Sequence, residues 1–102
     1  MGSFKKSYLS IVILGLLEKR GAMYGLEIGE LIQSRTAGQF KLQAGTTYPL
    51  LAELQKKGLI EPAQQADNIR GPIRKYVKLT EEGREALDQE KKHLLMLLGL
   101  IL

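Results

Sequence analysis

Hydrogen-bonding side chains stand together at the start of a short amphipathic segment near the middle of the chain: Thr46, Thr47 and Tyr48. A narrow apolar stripe follows them, formed by Leu51 and Leu54. A helix with donors and acceptors at its N-terminal end fits the major groove of DNA, where these groups can contact phosphates or base edges. An ordinary amphipathic helix has the same pattern, so the flanking segments have to distinguish it from a DNA-binding helix.

Both ends of this segment carry residues typical of helix boundaries. A threonine hydroxyl can cap its start, and Pro49 then falls in the first turn, where a missing backbone N–H costs little. At the other end, Gly58 can adopt the left-handed conformation, and Leu59 would fold back on Leu54. The sequence therefore predicts a helix that begins at a threonine and ends in a Schellman motif.

A second group with chemical potential is a run of cations with no acid between residues 68 and 80: Arg70, Arg74, Lys75 and Lys78. Residues 73–79 alternate with a two-residue period, and turn formers precede them. Residues 59–65 can form the partner strand, in which Pro62 indicates an edge position or an early end. The pattern predicts a two-stranded hairpin. Its one-sided charge modestly favours phosphate contact, because solvated faces more often mix signs.

Groups suited to catalysis or metal binding are scarce. The chain has no cysteine and a single histidine, His93, which we interpret as a packing or surface residue. The sequence contains no Gly-x-x-x-x-Gly-Lys-Ser/Thr phosphate loop and no pair of acids at a spacing that indicates acid–base chemistry. We therefore predict no enzyme activity, no cofactor and no metal site.

The net charge of +4 over 102 residues suggests a polyanionic partner, although moderate basicity is common in proteins without one. The apolar run at residues 8–17 ends in Glu-Lys-Arg rather than in a small-residue cleavage site, so we do not interpret it as a signal peptide. No segment is long enough to cross a bilayer. Together with the lack of cysteine, these features predict a cytoplasmic protein without a membrane partner.

Two further helices precede the central segment, over residues 8–19 and 24–35, where apolar residues follow helical spacing. The first is apolar on more than one side, so we expect its second side to meet another subunit or the last helix. Gly21, Gly25 and Gly29 recur every four residues, which predicts tight packing of the second helix.

A last helix follows Thr80, which can cap it, with Glu81 and Glu82 in its first turn. Residues 94–102 are apolar almost all round, and an exposed surface of this kind invites association. We predict that they are buried in a dimer against the first helix of either subunit. The predicted interface residues are Ile11, Leu14, Leu87, Leu94, Leu97, Leu98 and Ile101.

The order helix, helix, helix, hairpin, long helix describes a winged helix-turn-helix, mostly α-helical with a small β-hairpin. Residues 1–80 would form a DNA-binding domain, and residues 81–102 would form a C-terminal dimerisation helix in the same compact unit. The third helix would read a groove and the hairpin would lie on the backbone. Two such helices in a dimer would sit about 34 Å apart, which implies an inverted-repeat operator.

Several segments, in this order and spacing, resemble the PadR-like family of transcriptional regulators, in its short branch with a single C-terminal helix. The resemblance spans nearly the whole chain. It rests on residues 13–17 (Ile-Leu-Gly-Leu-Leu), 24–28 (Tyr-Gly-Leu-Glu-Ile), 40–42 (Phe-Lys-Leu), 45–49 (Gly-Thr-Thr-Tyr-Pro), 54–60, 71–76 and 79–83. It implies a dimeric DNA-binding protein, usually a repressor.

The resemblance also implies which residues contact DNA. The candidates are Lys41, Gln43, Thr46, Thr47 and Tyr48 around the third helix, and Arg70, Arg74 and Lys75 on the hairpin. The chain departs from the family at Leu26 and Thr47, where tyrosine and leucine are common. Some members hold flat aromatic drugs between tryptophans, and this chain has no tryptophan. A small hydrophobic effector between the long helices fits the pattern, and so does a well-filled core.

Two other functions fit parts of the pattern. A winged helix can act as a protein-interaction module without specific DNA binding, with its basic hairpin against an acidic surface. RNA binding is a weaker alternative, because 6% aromatic residues give little sign of a base-stacking platform. A steep fall of affinity with salt would favour DNA, since displaced counterions drive that dependence.

Overall fold

Four helices and three short strands make up the part of the chain that the computed structural model describes, residues 3–64 and 74–102. In chain order they are α1 Ser3–Arg20, β1 Met23–Tyr24, α2 Gly25–Arg35, α3 Ala44–Lys56, β2 Ile60–Ala63, β3 Tyr76–Leu79 and α4 Glu81–Gly99. This arrangement confirms the predicted fold class, a mostly helical winged helix-turn-helix with a long last helix.

The sheet has three antiparallel strands in the order β1-β3-β2, one strand more than the predicted hairpin. Met23 pairs with Val77 and Tyr24 with Tyr76, so β1 attaches the β2–β3 hairpin, here called the wing, to the start of α2. Two residues are too few to show a strand period, which is why the sequence did not indicate β1. Pro62 lies in the edge strand β2, as predicted. The predicted turn formers and one candidate contact fall outside the described residues: Asp67, Asn68, Gly71, Pro72 and Arg70.

The hydrophobic core lies between one face of each helix and the sheet. Its most deeply buried side chains have at most 2% of their surface exposed and come from α1, β1, α2, β2 and α4: Ile13, Leu17, Met23, Ile28, Ile60 and Leu87. Helices α1 and α4 of the same chain pack along each other, and Lys91 on α4 forms an ion pair with Glu18 on α1 at 3.2 Å.

The C-terminal end of α3 confirms the predicted Schellman motif. The backbone N–H of Leu59 donates to the carbonyl of Leu54 at 3.0 Å, and that of Gly58 donates to the carbonyl of Gln55 at 3.0 Å. Gly58 has a φ of 77°, a left-handed conformation that glycine adopts without steric cost.

The start of α3 lies earlier in the chain than a threonine cap would place it. Gln43 is the cap residue, and its carbonyl accepts the backbone N–H groups of Thr46 and Thr47, both at 2.9 Å. Pro49 therefore lies inside the helix rather than in its first turn. The N–H that proline lacks would have bonded the carbonyl of Gly45, and since Gly45 is exposed, water can bind that carbonyl instead.

Thr80 connects the start of α4 to the end of α3. As predicted, it caps α4, because its Oγ1 accepts the backbone N–H of Gly83 at 2.9 Å. The same hydroxyl donates to the carbonyl of Gly58 at 2.7 Å, and the Thr80 N–H donates to the carbonyl of Leu59 at 3.1 Å. Gly83 lies so close to the Leu59 carbonyl that a β-carbon there would overlap it. The end of α3 and the first turn of α4 thus form one hydrogen-bonded unit.

Helix α2 closely approaches α3 and the loop before it at two of the three evenly spaced glycines. A β-carbon on Gly25 would lie 2.7 Å from Cε1 of Tyr48, and one on Gly29 would lie 2.9 Å from the carbonyl oxygen of Leu42. This confirms the predicted tight packing of α2. Gly21 serves differently: no described atom lies near its missing β-carbon, and it ends α1 with a φ of 81°.

The end of α4 projects its apolar side chains into solvent. The exposed fraction is 38% at Leu94 and 96% at Leu102, and it lies between 62% and 80% at Leu95, Met96, Leu97, Leu100 and Ile101. We call residues 94–102 the α4 tail. Among the described helices, none is both long and apolar enough to cross a membrane.

Candidate nucleic-acid interface

The start of α3 presents polar groups to solvent beside the start of α2. Tyr48 is 53% exposed, and Lys41 and Gln43 are exposed just ahead of the helix. Thr46 is half-buried at the same end, and Leu26 is exposed in the first turn of α2. The phenol, amide, ammonium and hydroxyl groups of this surface can each donate a hydrogen bond to a phosphate oxygen.

Thr47 does not belong to this surface, in contrast to the prediction. Only 3% of it is exposed, and its Oγ1 lies 3.7 Å from the position of a β-carbon on Gly29. Helical spacing explains the burial, because Thr47 completes an i, i+3, i+4, i+7 stripe with Leu50, Leu51 and Leu54. We therefore remove Thr47 from the candidate contacts. The full stripe in the sequence would have indicated its burial.

The described part of the wing carries three cations: Arg74, Lys75 and Lys78. Lys75 is exposed, whereas Arg74 is half-buried with its guanidinium carbon 4.6 Å from the centroid of the Tyr24 ring. Lys78 forms an ion pair with Glu61 on β2 at 3.6 Å, so its charge is partly offset by an acid that lies outside the predicted acid-free run. Among the described wing cations, Arg74 and Lys75 are therefore the stronger candidates for phosphate contact.

Tyr24 joins the wing to the helices, a role that the sequence did not reveal. It stands opposite Tyr76 in the β1–β3 pair, and the two ring centroids are 5.2 Å apart at an interplanar angle of 68°. Both residues are half-buried, in keeping with a structural role. The contact of Tyr24 with Arg74 has no local sequence signal, because it depends on a strand pairing between distant segments.

An ion-pair cluster connects the N-terminal part of α1 to α3. Lys6 Nζ lies 2.7 Å from Oε2 of Glu53, and Lys57 Nζ lies 3.6 Å from Oε1 of the same carboxylate. The hydrogen bond from Lys6 is the main cause that lowers the pKa of Glu53 below its ordinary value of 4.5. Both lysines are thus partly neutralised and are weaker candidates for binding a phosphate.

Replacing Glu53 with glutamine should make the protein less stable in a pH-dependent way. A carboxyl with a lowered pKa in the folded state contributes stability above its ordinary pKa, and loses it as the pH falls through the folded value. Urea unfolding of wild type and Glu53→Gln should therefore differ near pH 7, and the difference should shrink as the pH falls below 4.5. We expect a small effect, since the pair is exposed.

The control for this measurement is Glu85→Gln, on the exposed surface of α4, where the described chain offers no ion pair. Its unfolding free energy should follow that of the wild type at every pH. A Glu53→Gln difference that is the same at pH 7 and at pH 3 would contradict the assigned role of the carboxylate.

The structure corrects the predicted dimer interface on the α1 side. Leu14 and Leu87 have 3% and 0% of their surface exposed, because α1 and α4 of one chain pack against each other, so neither can face a partner. Ile11 is half-buried. Tyr8 and Val12, at 43% and 42% exposure, are exposed apolar residues of α1 within the part of that helix, residues 6–20, whose burial the structure describes. The other four predicted residues lie in the α4 tail and are exposed or half-buried: Leu94, Leu97, Leu98 and Ile101.

A groove of about 430 Å³ runs between α1, α3 and α4. Its apolar lining comes from Ile11, Leu14, Leu54, Leu59 and Ala86, and its charged rim from Lys6, Glu53, Lys57 and Glu90. Within residues 3–64 and 74–102, no group of histidine, aspartate and glutamate side chains is arranged to hold a metal ion.

Known proteins resemble this chain both in sequence and in structure. The model of the PadR-like family of transcriptional regulators matches residues 13–89. An uncharacterized protein from Lysinibacillus sphaericus is 33% identical over 84 residues, which cover 82% of this chain and 75% of that protein. A transcriptional regulator from Clostridium thermocellum has a similar structure, with a TM-score of 0.82 at 27% identity, covering 98% of this chain and 95% of that one.

One similar structure includes a nucleic acid. Bacillus subtilis PadR, solved in complex with operator DNA, has a TM-score of 0.67 at 26% identity, over 80% of this chain and 45% of that one. The present chain thus covers less than half the length of that PadR.

The fold and its exposed polar end define a winged helix-turn-helix protein of the transcriptional-regulator class. The family match covers three quarters of its length and includes all of α2, α3 and the described wing. The chain belongs to the PadR-like family of transcriptional regulators.

Proposed function

We propose that this regulator binds double-stranded DNA as a homodimer and represses transcription from an inverted-repeat operator. The observation that carries the proposal is the exposed polar surface at the start of α3, beside the base of the wing. Residues 1–80 would bind DNA and residues 81–102 would dimerise, within one compact unit. A chromosomal operator also implies action in the cytoplasm.

Tyr48 is the central proposed contact at the start of α3. More than half of its surface is exposed, and Lys41, Gln43 and Thr46 flank it. The N-terminal end of a helix also favours a phosphate, because its free backbone N–H groups and its dipole attract negative charge. The complex of Bacillus subtilis PadR with operator DNA supports DNA as the partner of this chain.

The α4 tail is the proposed dimer contact. Its exposed apolar side chains would be unfavourable in water, and α1 offers a second exposed apolar patch at Tyr8 and Val12, four residues apart on one face. We propose that the tail of each protomer packs against the α1 patch of its partner. Such a contact occurs twice in a two-fold dimer and buries both surfaces.

The two copies of α3 in this dimer would lie about 34 Å apart, one turn of DNA. The operator would therefore be an inverted repeat with half-sites one helical turn apart. Repression would follow if this operator overlaps a promoter, since the bound dimer would exclude polymerase from the same DNA.

The groove between α1, α3 and α4 is the proposed site for a small hydrophobic effector. Its volume of about 430 Å³ is in the range of small-molecule sites, and its lining is apolar at the centre and charged at the rim. A ligand in the groove would contact both α3 and α4, so it could alter DNA binding without occupying the DNA surface.

Titration of the purified protein against its own upstream DNA and a scrambled duplex, at two salt concentrations, tests the proposed function. We expect tight, sequence-dependent binding that persists at the higher salt. Equal binding to both duplexes that disappears at the higher salt would contradict a specific regulator and would favour the protein-interaction module instead.

Replacing Arg74 and Lys75 with alanine should weaken binding to operator and scrambled DNA by a similar factor. Each lost phosphate contact removes about 0.9 from the slope of log affinity against log salt, so the slope should flatten by up to about 1.8. Tyr48→Ala should instead lower the ratio of operator to scrambled affinity, because we propose that the Tyr48 side chain at the start of α3 also contacts base edges in the major groove. Lys92→Ala, an exposed cation on α4, is the matched control and should bind as the wild type does. Indistinguishable effects of the wing and Tyr48 variants would contradict this division of roles.

A further inference from the structure

We propose that Tyr24 is a positioning residue for DNA binding: its ring holds the guanidinium of Arg74 in the orientation in which the wing contacts a phosphate. The inference rests on the proposed function, because it concerns how the wing of a DNA-binding protein is held. Tyr24 itself needs no contact with DNA in this arrangement.

The contact has the geometry of a cation–π interaction. The guanidinium carbon of Arg74 lies 4.6 Å from the centroid of the Tyr24 ring, within the distance at which the ring face attracts a cation. Arg74 is half-buried, whereas the neighbouring Lys75 is exposed. The ring thus restricts the Arg74 side chain, whereas the Lys75 side chain extends from an exposed position.

Three contacts, from α2 and from β3, hold Tyr24 in place. Its backbone N–H donates to Oε1 of Glu27 at 3.3 Å in the first turn of α2. Its backbone pairs with Tyr76 on β3, and the Tyr76 ring packs against the Tyr24 ring with centroids 5.2 Å apart. The position of the ring is therefore fixed by α2 and by the sheet together.

Ordering in advance suits a phosphate-binding arginine. The guanidinium presents five N–H donors in a fixed, planar fork, which matches the oxygens of a phosphate. A side chain ordered in advance loses less conformational entropy when DNA arrives. A lysine ammonium can also lie over an aromatic ring, but it lacks this fork of donors.

The residue that follows Tyr24 lies against α3, the helix proposed to contact DNA. Gly25 follows Tyr24 and lies against Tyr48, so closely that a β-carbon would come within 2.7 Å of Cε1 of the tyrosine ring. Two adjacent residues at the start of α2 thus contact the two proposed DNA-binding side chains, Arg74 on the wing and Tyr48 on α3. The two proposed DNA-binding side chains are thus both in contact with one two-residue stretch of chain.

A double-mutant cycle on operator affinity tests the inference. Tyr24→Leu removes the aromatic face and keeps an apolar side chain, Tyr24→Phe keeps the face and serves as the matched control, and Arg74→Ala removes the cation. We expect Tyr24→Leu to weaken binding about three- to tenfold, and only while Arg74 is present. Tyr24→Phe should bind as the wild type does.

The alternative is a purely structural role for Tyr24. In that case Tyr24→Leu would weaken binding by the same factor with Arg74 and with alanine at position 74, and additive losses of this kind would overturn the inference. Comparison of Arg74→Ala with Lys75→Ala tests the inference even if Tyr24→Leu fails to fold. The arginine that is ordered in advance should contribute more operator affinity than the exposed lysine next to it, and equal losses for the two variants would also overturn the inference.

Failure of the inference differs from failure of the proposed function. If wild-type protein shows no preference for its operator, the proposed function is wrong. If wild type binds its operator specifically and Tyr24→Leu binds it with the same affinity, only the role of Tyr24 is wrong.

Discussion

Gly83→Ala is expected to lower the free energy of unfolding by about 3 kcal/mol, the upper end of the usual cost of overpacking. The new β-carbon would overlap the carbonyl oxygen of Leu59 and would lie 2.8 Å from Cδ1 of Leu79. The leucine side chain can rotate away, but the carbonyl is backbone and accepts the N–H of Thr80. Relief would therefore require separating the end of α3 from the first turn of α4. Urea unfolding followed by circular dichroism measures the loss.

Gly45→Ala is the matched control for this substitution. Gly45 also lies in the first turn of a helix, but no described atom lies within 4 Å of its missing β-carbon. Alanine there should raise the unfolding free energy by about 0.5–1 kcal/mol, because glycine loses more conformational freedom on folding. If both variants unfolded at the same urea concentration, the close approach of Gly83 to Leu59 would not be the reason for its glycine.

Replacing both Leu97 and Ile101 with aspartate should convert the proposed dimer into monomers. The two side chains are 62% and 80% exposed in the single chain and four residues apart, so their loss removes apolar surface from one face of the α4 tail without touching the core. Monomers lose the gain from binding two half-sites at once, and operator affinity should fall at least about a hundredfold. Light scattering after size-exclusion chromatography measures the mass, and DNA titration measures the affinity.

Gln89→Asp adds a negative charge to an exposed position of α4 outside the tail, and it should remain dimeric. A double variant that still elutes as a dimer would show that another surface joins the protomers. A monomer with unchanged operator affinity would show instead that two half-sites are not required.

Helix ends were predictable where a single residue decides them. Gly58 can adopt a positive φ without steric cost, and the Thr80 hydroxyl can accept a backbone N–H at a helix start, so both act as the sequence indicated. The start of α3 was not predictable in this way, because more than one residue could cap it. In the structure the cap is Gln43, whose carbonyl accepts the backbone N–H groups of Thr46 and Thr47. Strand β1 was missed because it exists only through its pairing with β3.

The candidate site was predictable in its location and less so in its members. The motif around Tyr48 and the cations of the wing were recognisable, since residue type and charge are local properties. Thr47 was mistaken for a surface residue because the stripe was traced only from Leu51 to Leu54, although the full spacing includes Thr47. Leu14 and Leu87 were mistaken for partner contacts because the helix that buries an apolar face is not specified locally. The support of Arg74 by Tyr24 joins distant segments and needed the structure.

The hydroxyl of Thr80 makes α3 and α4 mechanically dependent on each other. Because it donates to the end of α3 and accepts from the start of α4, a rotation of α4 has to break one of these bonds or carry α3 with it. In the proposed dimer, a small change of the angle between the two copies of α4 would thus move both copies of α3 and alter the distance between them. The helical repeat of DNA fixes the distance between the two half-sites of the operator. A dimer whose two α3 helices lie at a different distance would therefore bind the operator weakly, even with every DNA-contacting side chain unchanged.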